Sequence, residues 1–217
     1  MTLHLVIANK AYSSWSFRPW VLMRQFGIAF TETVVPMAQE TTRADMLRYA
    51  PTGKCPSLHD GAIGVWDSLA IIEYVAETHP TLPIWPRDKA ARAQARALSA
   101  EMHSGFMPLR VHLPMNMRRE PAARDLTAEV TADVARIEAA FAAARREFAA
   151  GGDFLFGDFS AADAMFAPVV SRFHTYQVSV SPATRAYMEA VQALPAYRDW
   201  LAGAEAEPWH IAKYDVG

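Results

Sequence analysis

The sequence predicts a small α/β domain followed by an all-helical domain. In the first eighty or so residues, short apolar or β-branched runs alternate with helical patterns in the order β-α-β-α-β-β-α. After a proline-containing stretch, residues 81–88, the periodicity is helical throughout. A chain of 217 residues is long enough for both units. We therefore expect domains at 1–80 and 89–217, joined by a semi-rigid linker.

Each element of the first domain is indicated by a local pattern. Gly27 follows the first helical pattern as a C-cap, and the Asp60-Gly61 pair is typical of a hairpin turn. Asp67 or Ser68 caps the next helix. The predicted elements are a strand at 3–8, a helix at 13–26, a strand at 30–35, a short helix at 43–49, a hairpin at 57–63 and a helix from 67 or 68 to about 78.

The second domain is predicted from helical periodicity and end signals. Apolar residues at spacings of three, four and seven from Leu126 to Phe148 predict a long amphipathic helix, which Gly151 and Gly152 end. Ser160 and Asp163 have the spacing of a capping box, and we assign them to folding. The further predicted helices span residues 161–175, 182–193 and 195–201.

Composition narrows the class of protein. The chain is 52% apolar and 20% charged, as globular proteins are, and its net charge of −2 disfavours a dedicated nucleic-acid binder. No run approaches the ~20 apolar residues that span a bilayer, and the N-terminus lacks a basic leader. The single cysteine excludes an internal disulfide and fits a reducing compartment. We expect a cytoplasmic protein that binds neither membranes nor nucleic acid.

Ser13 and Ser14 stand where the first strand turns into the first helix. A helix N-terminus stabilises an anion, and a hydroxyl there can donate a hydrogen bond to a thiolate. A free thiol has a pKa of about 8.5. Lowering that pKa by about two units requires roughly 2.7 kcal/mol, which one charge-assisted hydrogen bond and a helix terminus can supply. The alternative interpretation is that a serine simply caps this helix.

Two further pairs place polar groups at the ends of elements. Pro56 follows Cys55 just before the hairpin, which favours a cis-proline that exposes the N–H and C=O of Cys55 to a peptide ligand. The Cys55 thiol itself is interpreted as a small buried hydrophobe. At the third helix, Ser68 and the free N–H groups could hold a carboxylate, and Asp67 could pair with an ammonium group. Capping alone is again the alternative.

Four segments together resemble the serine-type glutathione transferases. The Ser-Ser-x-Ser-x-Arg pattern from Ser13 is similar to the Ser-Ser-Cys motif of the zeta class, which is maleylacetoacetate isomerase-like. Residues 53–58 resemble the family's Val-Pro-x-Leu segment, and Asp67-Ser68 its acidic-Ser pair. Residues 157–163 match the Gly-x-x-Ser/Thr-x-Ala-Asp motif of its helical domain.

The resemblance implies an α/β thioredoxin-like N-terminal domain with an all-α C-terminal domain, which is the glutathione transferase architecture. It implies a homodimer that takes glutathione as co-substrate and a small electrophile as second substrate, with a role in detoxification. Ser13 or Ser14 would activate the thiol. The residues that would hold glutathione are Lys54, Cys55, Pro56, Asp67 and Ser68.

A second-substrate pocket is expected between the domains. On the first helix of the helical domain, five residues recur at helical spacing, either as a pocket wall or as core: Met102, His103, Phe106, Leu109 and Arg110. We expect four of them, Met102, His103, Phe106 and Arg110, to line the pocket with Trp15. Arg118 and Arg119 could, with Arg110, attract an acidic electrophile or form a solvated face. The histidines lack metal-ligand spacing, so no metal is expected.

Two departures from the family pattern bear on function. Trp15 replaces the zeta-class cysteine that is associated with isomerisation, and Cys55 replaces a usual valine. Conjugation of glutathione to an electrophile is the main interpretation. The alternatives are a glutathione-dependent cis–trans isomerase acting on a small dicarboxylate, and a non-catalytic binding or scaffold module.

Overall fold

The computed structural model describes residues 2–215. Three residues at the outer ends of the two predicted domains lie outside this range: Met1, Val216 and Gly217. The N-terminal part contains a four-stranded mixed sheet of order β2-β1-β3-β4. Strands β1 and β2 are parallel, and β3 is antiparallel to both β1 and β4. The elements are β1 Leu3–Ile7, α1 Ser14–Gln25, β2 Phe30–Val34, α2 Thr42–Leu47, β3 Ser57–Asp60, β4 Ile63–Trp66 and α3 Ser68–Thr78.

The alternation of side chains along β1 explains how the sheet is covered. Leu5 and Ile7 are fully buried in the main core, together with residues of α1 and α3. Val6 points to the other face, where it packs with Val35 and with Met46 of α2. Helices therefore cover both faces of the sheet, and the thioredoxin-like fold class is confirmed.

The helical part is centred on a helix that is buried along nearly its whole length. This helix, α7 (Ala161–Thr175), packs against α1, against α4 (Lys89–Ser104) and against α8 (Pro182–Ala193). Within residues 2–215, no helix is both long enough and apolar enough to cross a membrane. The elements are α4 Lys89–Ser104, α5 Met107–His112, α6 Ala128–Phe148, α7 Ala161–Thr175, α8 Pro182–Ala193, α9 Pro195–Ala206 and a short 3-10 helix Ala212–Tyr214.

The two parts share one hydrophobic core. Trp200 of α9 is fully buried against α1, with its ring centre 4.9 Å from that of Phe17 and 5.2 Å from that of Trp20. Aromatic pairs at these separations add to the burial of apolar area. The N-terminus of α1 is thereby fixed at the boundary between the sheet and the helices.

The first helix of the helical part does not continue through Arg110, so the predicted helical spacing from Met102 to Arg110 is wrong. Helix α4 ends at Ser104, and Phe106 has a left-handed conformation with φ of 59° before α5 begins. Pro108 is the physical reason, because in a continuous helix its ring would clash with the carbonyl of residue 104. In the structure Pro108 lies in the first turn of α5, where the missing N–H costs nothing.

Several predicted boundaries are also corrected. Strands β1 and β2 are each one residue shorter than predicted, and α2 spans 42–47 rather than 43–49. Helix α6 begins after Leu126, because the Thr127 side chain accepts a hydrogen bond from the Val130 N–H as its N-cap. Helix α9 continues past residue 201 through Gly203, where a Cβ would lie 2.7 Å from the Lys10 Cδ.

Asp163 stabilises the start of α7, as the capping box predicts. Its carboxylate is fully buried and accepts hydrogen bonds from the N–H of Leu155 and of Ser160 and from the Ser160 hydroxyl, at 2.9–3.1 Å. Burial raises the pKa of Asp163 to about 6.

Replacement of Asp163 by alanine leaves buried donors without a partner, so D163A should lower the free energy of unfolding by roughly 2–4 kcal/mol. Denaturant unfolding measures this, and the exposed D158A should change it by less than about 0.5 kcal/mol.

A histidine pair on the α2 side of the sheet predicts acid sensitivity. His4 and His59 are opposite each other on β1 and β3, with ring centres 5.9 Å apart and Tyr49 beside both. Burial, and then repulsion by His4, lowers the pKa of His59. The unfolded chain, with a histidine pKa of about 6.5, therefore binds the proton more readily, so stability should fall as pH drops below that value.

Thermal unfolding between neutral and mildly acidic pH tests this prediction. H59Q should lose less of its melting temperature on acidification than the wild type, whereas the exposed H174Q should behave as the wild type does. Equal acid sensitivity of H59Q and the wild type would contradict it.

Candidate active site

The N-terminus of α1 is held by a hydrogen-bond network that uses two serines. Ser13 is the N-cap, and its Oγ accepts from the Ser16 N–H at 3.3 Å. The Ser13 hydroxyl donates to Ser16 Oγ at 2.9 Å, and the same Ser16 Oγ accepts from the Ala8 N–H at the end of β1. All three residues are buried. Ser13 and Ser16 therefore join strand to helix, as capping serines do.

Ser14 is placed differently from Ser13. It is the first residue of α1, and in residues 2–215 its hydroxyl has no hydrogen-bond partner. It lines a cavity of about 270 Å³, which we call the serine cavity. A free hydroxyl at a helix N-terminus can donate to an anion while the terminal N–H groups add partial positive charge. The residues lining this cavity are Tyr12, Ser13, Ser14, Trp15, Met37, Met107, Arg110, Val111, Pro114, Met115, Arg172 and Tyr214.

A second, larger cavity of about 440 Å³ lies at the ends of β3 and β4; we call it the cis-proline cavity. The Cys55–Pro56 peptide bond is cis, as predicted. No other group in residues 2–215 forms a hydrogen bond with the backbone N–H or C=O of Cys55, so both are available to a ligand. The residues lining this cavity are Trp15, Thr52, Lys54, Cys55, Pro56, Trp66, Asp67, Ser68 and His103.

The thiol of Cys55 is a poor nucleophile in this environment. Burial raises its pKa to about 12, so the thiol stays protonated at neutral pH. The backbone of Cys55, and not its sulfur, is therefore the group that the cis-proline cavity offers to a ligand.

Asp67 and Ser68 line the same cavity at the start of α3. Asp67, at a left-handed φ of 76°, caps α3 by accepting from the N–H groups of Leu69 and Ala70. Its carboxylate also lies 2.7 Å from His103 Nε2 on α4, which joins the two parts of the molecule across the cavity. The Ser68 hydroxyl is buried and has no hydrogen-bond partner in the part of the chain described. An unpaired buried hydroxyl is costly, which favours a ligand at this position.

Two arginines line the serine cavity, the buried Arg172 and the half-buried Arg110, and the fully buried Arg18 lies beside them behind Trp15. The guanidinium carbons of Arg18 and Arg110 are 4.4 and 4.2 Å from the centre of the Trp15 ring. Burial, together with repulsion from the other two arginines, lowers the pKa of Arg18. Burial and then repulsion by Arg110 lowers that of Arg172 to about 9. Burial also lowers the pKa of Arg110.

No salt bridge in residues 2–215 pairs any of these arginines with a carboxylate. Arg172 donates instead to the carbonyls of Leu113 and Pro168, and Arg18 to that of Met165. Terminal nitrogens of Arg18 and Arg110 have no partner there. Cations that line a cavity without an ion-paired carboxylate, as Arg110 and Arg172 do, suit an anionic ligand.

The structure brings most of the sequence-predicted residues to the two cavities, but not all. Met102 is fully buried in the core and Phe106 packs against it, so neither lines either cavity. Arg118 lies outside the serine cavity and binds the C-terminal segment instead. Within residues 2–215, no group of three or more His, Cys, Asp or Glu side chains could hold a metal ion.

Sequence reasoning missed Arg172, Tyr12 and Tyr214. Arg172 had a local signal, because it is a lone charge late in the apolar helix from Ala161 to Thr175. Tyr214 had none, since its place in the serine cavity depends on how the chain folds back after α9.

Comparison with known proteins extends these observations. Residues 12–78 match the glutathione S-transferase N-terminal domain, and residues 127–203 match the C-terminal domain. A probable maleylacetoacetate isomerase of Caenorhabditis elegans is 36% identical over 98 residues, which span 45% of each chain. Glutathione S-transferase Z2 of Arabidopsis thaliana is 24% identical over 88% of this chain and 89% of its own.

A solved structure shows the same fold. The crystal structure of a glutathione transferase homolog from Burkholderia gl BGR1, with bound glutathione, covers 95% of this chain and 100% of its own, with a TM-score of 0.73 and 23% identity. Since both domains match and the fold agrees along nearly the whole chain, this protein belongs to the glutathione S-transferase family.

Proposed function

We propose that this protein binds glutathione in the cis-proline cavity, activates its thiol at Ser14 and conjugates it to a small electrophile in the serine cavity. The observation that carries the proposal is the unpartnered Ser14 hydroxyl at the start of α1, beside Trp15, which lines both cavities. A peptide in the first cavity can therefore present its thiol at the edge of the second.

The cis-proline cavity offers a group for each part of glutathione. The free N–H and C=O of Cys55 pair with the cysteinyl backbone as an added strand would. The unpartnered Ser68 hydroxyl and the start of α3 hold the γ-glutamyl carboxylate, and Asp67 lies where it can bind the ammonium group. Lys54 is exposed at the rim, where its charge favours the glycyl carboxylate.

Activation follows from the two features of Ser14. The hydroxyl donates a hydrogen bond to the sulfur, and the α1 N-terminus stabilises its negative charge. The thiolate then forms a carbon–sulfur bond to the electrophile, with loss of a leaving group or uptake of a proton. Ser13 is excluded from this role in our proposal, because its hydroxyl is already bound to Ser16.

Replacement of the two serines separates these roles. S14A should raise the pKa of the bound glutathione thiol by about one to two units, because the hydrogen bond to the thiolate is lost. S13A should leave that pKa nearly unchanged but lower the free energy of unfolding by about 1 kcal/mol, because α1 loses its cap. Ultraviolet titration of the bound thiolate and denaturant unfolding are the two measurements.

The other outcomes are equally informative. A thiol pKa that responds to S13A and not to S14A would reverse the assignment. Bound glutathione that titrates like the free thiol in the wild-type protein would point to a binding or scaffold module without turnover.

One observation favours a second candidate, the glutathione-dependent isomerisation of a small dicarboxylate. Arg110 and Arg172 line the serine cavity, whereas no acidic residue does so in the part of the chain described. Such a cavity suits a dianion, and the relative in Caenorhabditis elegans is named for isomerisation of maleylacetoacetate. Reversible addition of the thiolate to a cis double bond allows rotation and releases glutathione unchanged.

Arg110 provides the test of anion recognition. R110M should lower kcat/KM for a dicarboxylate substrate by about tenfold or more, because a half-buried cation of the cavity wall is lost, and should change kcat/KM for a neutral electrophile little. R110K keeps the charge and should fall between R110M and the wild type. An unchanged ratio of the two kcat/KM values in R110M would remove Arg110 from the pocket.

We further propose that the protein is a cytoplasmic homodimer with a role in detoxification. Family membership supports the dimer and the role. The single cysteine, which forms no disulfide, fits a reducing compartment.

A further inference from the structure

The chain returns to the proposed active site after α9. We call residues 207–215 the C-terminal strap. At its start, the Glu207 carboxylate accepts hydrogen bonds from the N–H groups of Lys10 and Ala11, at 2.6 and 3.1 Å. These residues belong to the loop that leads from β1 into α1. The strap is therefore tied to the loop that leads into Ser13 and, at the start of α1, Ser14.

Arg118 fastens the middle of the strap to the same loop. Its Nη1 donates to the Glu207 carbonyl at 2.7 Å, and its Nη2 donates to the Trp209 carbonyl and to the Tyr12 hydroxyl. The Tyr12 hydroxyl also accepts from the N–H of Ile211, whose side chain is buried in the main core. One guanidinium thus bridges the strap and Tyr12, the residue directly before Ser13.

The end of the strap places an aromatic ring at the serine cavity. The Tyr214 ring stacks on Tyr12, with ring centres 5.2 Å apart and an angle of 21° between the planes. Asn116 donates to the Tyr214 carbonyl and to Asp215 Oδ1, at 3.3 and 2.9 Å. Both tyrosines line the serine cavity, and Tyr214 is half-buried.

We propose that Tyr214 is a specificity-determining residue that limits the length of the group bonded to the glutathione sulfur. The inference rests on the function proposed above, because it requires the sulfur to face the serine cavity. A long substituent would have to displace the Tyr214 ring, and this displacement would break its stack on Tyr12. The hydrogen bonds of Arg118 and Asn116 to the strap oppose such a movement. Short substituents fit the 270 Å³ already present.

Binding of S-alkylglutathiones tests the proposal without turnover. We would measure the affinities of S-methylglutathione and S-hexylglutathione by calorimetry in the full-length protein. Y214A should raise the affinity for the hexyl compound relative to the methyl compound by about tenfold, because the wall is removed. Y214W should lower the same ratio, and Y214F should keep it because the ring remains.

A control separates the ring from general loosening of the strap. His210 Nε2 lies 3.1 Å from Asp215 Oδ2 within the strap, and its side chain is exposed. H210A weakens the strap without touching the cavity wall and should keep the wild-type ratio.

Each outcome decides something different. If the wild-type protein binds S-methylglutathione but the ratio of hexyl to methyl affinity is the same in Y214A and Y214W, the role of Tyr214 is overturned. The proposed function then still stands. If H210A raises the ratio of hexyl to methyl affinity as much as Y214A does, the effect comes from the stability of the strap. That result likewise overturns the role of the Tyr214 ring. Wild-type protein that binds neither compound overturns the proposed function and this inference with it.

Discussion

Burial of helix α1 on both sides is the constraint on which the rest of the structure depends. Nine of its twelve residues are buried, because one side packs on the sheet and the other on α7 and α9. Fully buried side chains such as Phe17 and Leu22 each contribute about 1.5–3 kcal/mol. A helix held in this way cannot shift its N-terminus, so Ser14 and the end of β1 keep fixed positions relative to both cavities.

The same burial explains the unusual electrostatics. Arg18 is one turn after Ser14 on a helix without an exposed side, so its charge must lie inside the protein. Cation–π contacts of the Trp15 ring with Arg18 and Arg110 offset part of the free energy that it costs to bury these charges. No carboxylate joins them through an ion pair in residues 2–215, and Arg18 and Arg172 donate instead to the backbone carbonyls of Met165, Leu113 and Pro168. Arg18 and Arg172 therefore hold elements of the fold together, and only Arg110 and Arg172 also face the serine cavity.

The sequence predicts well those structural features that depend on residues close together in the chain. The helix caps, the hairpin turn and the cis-proline are specified within a few residues, and with them the cis-proline cavity. The break before α5 was also a local signal, since Pro108 forbids the continuous helix that apolar spacing alone favours. Arg172 and Tyr214 are brought to the serine cavity from α7 and from the end of the chain. Contacts of that range depend on tertiary packing, which periodicity does not encode.

The three serines at the start of α1 show that a sequence motif alone does not identify which hydroxyl is available to a ligand. Ser13, Ser14 and Ser16 are chemically equivalent in the sequence, and each is a plausible cap or proton donor. In the folded chain the hydroxyl of Ser13 is bound to Ser16, and Ser16 is bound to the end of β1. Each of these bonds satisfies a buried polar group that would otherwise be unpaired. Ser14 has no such partner in the part of the chain described, so of the three hydroxyls it is the one that is not already engaged within the fold.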